Sequence, residues 1–343
     1  LCGGVFAILA NMNRLGLFLT RFIKTESSGG IALVTACVIA LAFANSPLRD
    51  SYESFFSPFH DFINEGLMAI FFFLVGLEIK REFVEGEFKN PKNAALPVIA
   101  AVGGMALPAI IFAALNSSGS ASSAWAVAMP TDIALALGAL ALLGSRIDSS
   151  LKIFLLTLAI ADDLFSIVIL GVFYSSGISA IKIASTIGAV LLALALPSGK
   201  KITTTRLINW IHPYSAFIII PLFALANIGV YIDFSSLKET ISSPIASGLI
   251  FGRVIGKIVG ITLFAWLAIQ LKFAIKPGSL SFKEIAGAGA LAGMGLTVSL
   301  FIADLALTST QDLAQVKVGL IAAALISAIL GLSILRKYSN KSD

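Results

Sequence analysis

The sequence predicts an all-α, polytopic membrane protein, and three observations carry that prediction. Of its 343 residues, 57% are hydrophobic and 13% charged, with mean hydropathy +0.95. A soluble domain carries about twice that charged share. Apolar runs long enough to cross a bilayer, about 20 residues each, recur along the whole length. The basic residues are also sorted onto alternate sides of those runs. Ten runs are expected, near 30–45, 63–77, 94–115, 124–143, 153–173, 183–197, 214–232, 244–269, 286–307 and 316–335. Two are short and several hold Gly or Pro, so their ends are loosely defined. They leave no room for a separate soluble domain: residues 1–29 read as an N-terminal cytoplasmic segment, 30–335 as the transmembrane domain and 336–343 as a cytoplasmic tail.

The net charge of +5 does not indicate nucleic-acid binding, because of where the charge lies. With both termini inside, the inside segments hold 18 of the 24 Lys and Arg residues. The outside segments hold four, Arg49, Lys182, Lys238 and Lys317, while Arg253 and Lys257 fall within a span. The positive-inside rule therefore sets the orientation, and the basic character follows from it. Cys2 and Cys37 suggest neither a disulfide framework nor a metal site. The opening LCGGVFAILAN is too short to span and lacks the basic start of a signal peptide. Met12 begins a cytoplasmic-looking stretch with Arg14, Arg21 and Lys24, so residues 1–11 are expected to be a start-site artefact or an inert extension.

Ionisable residues deep in the runs are few. TLAIADDLFSIVIL places Asp162 and Asp163 side by side, and two aspartates at a helix centre cost roughly 5–7 kcal/mol on an insertion scale. Neighbours on a helix point about 100° apart, so one can face a wet cavity while the other meets a neighbouring helix. Asp132 follows Pro130 and Thr131, and Lys257 follows Arg253 by one turn. Arg253, Glu65 and Asp304 read as lying near span ends, within reach of water, with structural roles. One lysine cannot neutralise three mid-span aspartates. The surplus negative charge must be protonated or bind a cation, and a site that does each in turn is an exchanger.

Two stretches indicate where such a site lies. Pro130 interrupts one run, removing a backbone hydrogen bond and disfavouring helix in the residue before it. Gly287, Gly289, Gly293 and Gly295 crowd the first half of a late run. Close helix packing explains glycines equally well, but together the two stretches fit a pair of interrupted helices. Their exposed half-helix ends need compensating charge. Asp132 suits exposed N–H groups there, and Lys257 suits exposed carbonyls.

LMAIFFFLVGLEIKRE, PVIAAVGGMALPA, AMPTDIALALGALALLGSR, LAIADDL, IIIPLFALANIGV and GMGLTVSLFIADLAL together resemble the NhaA-type bacterial sodium/proton antiporters, from about residue 14 to 335. That family is one from which the interrupted-helix rule is drawn, so the broken pair is not an independent expectation. The resemblance implies inverted repeats in which two crossed, broken helices meet beside the aspartate pair. It implies Asp163 as main cation ligand and Asp162 as the proton-carrying partner of Lys257. Thr131 and Asp132 are implied at the break, and Glu78, Arg81 and Glu82 as a cytoplasmic cluster tied to pH response. The chain departs from the family by lacking two spans between its sixth and seventh runs. Losing two spans preserves the inside/outside alternation. RLINWIHP also lacks groups that the family often carries before the final His-Pro, which bears on pH regulation.

The expected function is electrogenic, pH-dependent exchange of cytoplasmic Na⁺ or Li⁺ for external H⁺ across a bacterial cytoplasmic (inner) membrane. Carboxylates, a Thr hydroxyl and unwound backbone carbonyls would supply oxygen ligands. A carboxylate binds the cation only when deprotonated, so the two ions compete, and the aspartate pair titrates as a coupled unit. No cofactor and no nucleic acid are expected; the partners are the ions and the lipid bilayer, and a homodimer is compatible. The alternative is an inactive or repurposed relative that lost transport with the two spans. An intramembrane aspartyl protease would need Asp in YD and GxGD settings. Here Ala161 precedes Asp162 and Gly-Met-Gly leads to Leu296, so no enzyme is expected.

Overall fold

The computed structural model describes residues 25–174, 180–196, 204–233 and 235–338. The expectations for residues 1–11 and for 339–343 lie outside that range. Seven helices are long and apolar enough to cross a membrane. In chain order the helices are α1 (Thr25–Ala44), α2 (Arg49–Phe56), α3 (Phe62–Val84), α4 (Pro91–Leu115), α5 (Ile133–Ala141), α6 (Ser149–Phe173), α7 (Ala180–Ala195) and α8 (Thr204–Asn227). They continue with α9 (Leu237–Ser242), α10 (Pro244–Gln270), α11 (Phe282–Ala292), α12 (Thr297–Ala306) and α13 (Thr310–Tyr338). Two further spans are broken. The 3₁₀ segment Ala121–Ala128 joins α5 at a 41° bend, and α11 joins α12 at 51°. With the shorter α7, every one of the ten expected runs has a helix or a broken pair.

Some boundaries differ from expectation. α1 is already helical at residue 25, five residues before its expected run, and α13 carries the helix through Arg336 and Lys337. α8 is already helical at residue 204, ten residues before its apolar run, so Arg206 is helical rather than in a loop. Polar helix ends reaching beyond the hydrocarbon core leave no hydropathy signal. Local chemistry sets the starts that matter. Asn90, Asp148 and Ser281 cap α4, α6 and α11, and Ser281 and Glu284 form a reciprocal capping box.

Contacts between loops agree with strict alternation across the membrane. On the face that carries most basic residues, Ser279 donates to Ser150 (2.9 Å) and Thr205 donates to Glu85 (3.0 Å). On the opposite face, Asn45 donates to the Val230 carbonyl (2.9 Å), Asn116 to that of Pro244 (2.8 Å) and Lys317 to that of Gly229 (3.2 Å). α2 buries no residue; it lies on this opposite face with Phe55 exposed, as an interfacial helix would.

The two broken spans are the fourth and ninth, so alternation makes them antiparallel. Ser123, at the start of one, donates to the carbonyl of Ala306, at the end of the other (3.4 Å). α4 and α10 flank them at backbone contact: a Cβ on Gly103 would fall 2.3 Å from the Gly260 carbonyl oxygen, and one on Gly260 2.1 Å from that of Gly103.

Candidate functional site

The two breaks lie side by side and share their polar partners. Asp132 caps α5, accepting from the Leu135 N–H (3.3 Å) through one oxygen. Its other oxygen accepts from the Thr297 hydroxyl (2.9 Å) and, at 3.5 Å, its N–H, at the start of α12. One carboxylate thus serves the N-termini of both second half-helices, where backbone dipoles place partial positive charge. The opposite ends, where carbonyls project, converge on Arg253. Its guanidinium donates to the carbonyls of Pro130 (2.8 Å), Val127 (3.3 Å) and Gly293 (3.2 Å), and to the Ser299 hydroxyl.

This corrects two sequence expectations. Arg253 is fully buried rather than near a water-accessible span end. Lys257, expected at the exposed carbonyls and, from the family resemblance, beside Asp162, donates to Asp162 (2.8 Å) and Thr131 (2.8 Å) and to none of those carbonyls among the described residues, while Thr131 donates to the same Asp162 oxygen (2.6 Å). A π-helical turn, Gly252–Gly256, immediately precedes Lys257. Such turns shift the register of a helix and recur at functional sites. Four backbone carbonyls at the breaks are engaged: Met294 accepts from the Asp132 N–H (2.9 Å), and those of Val127, Pro130 and Gly293 accept from Arg253.

The adjacent aspartates divide as their helical spacing requires. Asp162 is 1% exposed; one oxygen joins Lys257 and Thr131, and the other has no hydrogen-bond partner among the described residues. Asp163 points into a cavity of about 40 Å³, room for a dehydrated ion or a few waters. That cavity also meets Asp132, Thr131 and Thr297 at the breaks, and Glu78 and Glu26 toward the basic face. Ser215 lines it too, with a hydroxyl that has no partner among the described residues.

Glu78, Arg81 and Glu82 do not form one group around this cavity. Glu78 lines it, whereas Arg81 pairs with Glu82, and both line a separate smaller pocket with Thr157 on α6. Four residues that sequence reasoning did not place here join the site. Glu26 pairs with His212 beside Glu78; Thr297 binds Asp132; Arg253 ties the breaks. Glu26 is the single carboxylate of a basic leader, but nothing in the sequence links it to a histidine 186 residues on.

The model of a family described as Na⁺/H⁺ antiporter 1 matches residues 20–185 and 180–335. The chain belongs to that family. Among its antiporter relatives, Na(+)/H(+) antiporter NhaA 1 of Clostridium beijerinckii is 38% identical, with 94% of this chain and 96% of the relative aligned. NhaA 2 of Erythrobacter litoralis is 38% identical over 92% of this chain and 93% of its own length. NhaA of Vibrio cholerae is 37% identical over 92% and 96%. The Clostridium alignment is 383 positions long, whereas 94% of 343 residues is about 322. About 60 positions of that antiporter alignment therefore have no counterpart in this chain, and the family match divides at residues 180–185. The difference is two spans' worth of chain, but the family match divides at the start of the sixth run, one run earlier than the expected loss between the sixth and seventh. α7, which follows, packs against α3, where a Cβ on Gly76 would fall 2.8 Å from that of Ala193.

Proposed function

We propose that the chain is a secondary transporter that exchanges cytoplasmic Na⁺ or Li⁺ for external H⁺ in a bacterial cytoplasmic membrane, with both termini inside. One observation carries the reading. Asp163 is a buried carboxylate facing a small polar cavity, beside a second carboxylate already engaged by Lys257. A hard cation requires oxygen ligands and a deprotonated carboxylate, so Na⁺ and H⁺ contend for the same group. Asp162, Thr131 and Lys257 form the adjoining unit that takes up or yields charge as Asp163 changes occupant. Glu78 and Glu26 line the approach from the basic face. Every residue invoked comes from one chain, so the reading serves a monomer or a homodimer alike. No observation favours an inactive relative.

Reconstituted vesicles test it. A Na⁺-dependent proton flux is expected, silent in acid and rising with pH. Vesicles that show no such flux at any alkaline pH would overturn the proposal.

A further inference from the structure

Arg253 is a buried charge at the breaks that the exchange mechanism above does not use. It is fully buried, and its guanidinium is received by a space made for it. A Cβ at Gly295 would fall 2.4 Å from its Nη1 and 2.4 Å from the Pro130 carbonyl oxygen. That slot lets one side chain reach Val127 and Pro130 on the first broken span, and Gly293 and Ser299 on the second. The charged groups whose fields reach it are Asp162 on α6, Asp132 on the first broken span and Lys257 on α10, and Asp163 acts in turn on Lys257.

The carbonyls that Arg253 occupies are of the kind that coordinates an alkali cation. They carry the partial negative charge of two half-helix C-termini, and unwound carbonyls at mid-membrane coordinate such ions well. Pro130 is one residue from Thr131, which touches Asp162. A carbonyl does not titrate, so a cation held by carbonyls is not displaced by protons. A guanidinium remains charged and presents its donors in a fixed fork, so it occupies these oxygens permanently.

We infer that Arg253 is a coupling residue: by occupying the carbonyls of both breaks it denies them to the cation and makes Na⁺ depend on a carboxylate that H⁺ can also take. It acts through other groups and touches neither ion, so it is a positioning residue. The inference rests on the exchange reading above.

The test is the pH dependence of the Na⁺ KM in vesicles, for the unaltered chain, Arg253→Leu and Arg253→Lys. Competition with one proton for the unaltered site makes KM rise about tenfold per pH unit on the acid side. In Arg253→Leu the freed carbonyls are expected to bind Na⁺ without regard to pH, flattening that slope well below tenfold. Lysine restores the charge but from a single point that cannot span both breaks, so its slope should fall between the two. Should the leucine variant not accumulate, the lysine variant decides alone. A merely structural role would lower the maximal rate and leave the slope at its unaltered value; that outcome in the folded variants overturns the inference. Loss of Na⁺-dependent flux in the unaltered chain would instead remove the exchange reading itself.

Discussion

At the scale of single residues, the two adjacent acids differ in what each can do. Asp162 shares one oxygen with Lys257 and Thr131, and removing one partner of such a buried pair costs about 3–5 kcal/mol. Asp163 has the cavity instead, so it is the group free to change occupant. Asp163→Asn keeps the volume and removes the charge. Exchange by that variant is expected to fall to the level of empty vesicles, with calorimetric Na⁺ binding lost and thermal stability retained; undiminished transport would take the ligand role from Asp163. The acids were legible in the sequence because an apolar run leaves a carboxylate conspicuous. Arg253 was equally conspicuous, but its depth was not, since a π-helical turn and partners 40 and 123 residues away leave no periodic trace. Counting it changes the charge balance. With all groups ionised, three mid-span carboxylates face two cations rather than one, and the surplus equals one monovalent ion.

At the scale of elements, the crossed breaks work because their like ends adjoin. Two N-termini meet at Asp132 and two C-termini at Arg253, so a single charge of each sign compensates two half-helix dipoles. The proline and the glycine cluster marked both breaks in the sequence; which ends would adjoin depended on the crossing, which only the packed spans show. α10 brings Arg253 and Lys257 to the breaks, and its own position depends on glycine. Gly260 lies against Gly103 of α4 with no room for a side chain. Gly260→Val is therefore expected to destabilise the fold by about 1–3 kcal/mol through overpacking. The measurement is thermal unfolding in detergent against Gly278→Ala, whose Cβ would meet nothing within 4 Å and which should melt like the unaltered chain. Equal melting of the two variants would show that α4 and α10 part freely there.

At the scale of the whole molecule, direction of transport follows from orientation. The cavity reaches from the breaks toward Glu78 and Glu26 on the basic face, and the orientation proposed above, with that face in the cytoplasm, is the one the positive-inside rule favours. If two protons enter for each sodium that leaves, one net positive charge moves inward per cycle. An interior-negative potential of about 100 mV then supplies about 2.3 kcal/mol per turnover, enough for more than a tenfold sodium gradient. Reversed orientation would set the same potential against extrusion. In a chain whose Cys2 and Cys37 are replaced by alanine, Gly278→Cys on the basic face and Ser242→Cys on the opposite face, both exposed, report the orientation. A membrane-impermeant maleimide applied to intact right-side-out membranes is expected to label position 242 and spare 278, and inverted membranes should give the converse. Labelling of 278 from outside would reverse the assignment, and the open approach to Asp163 would then be the one used by protons entering from outside.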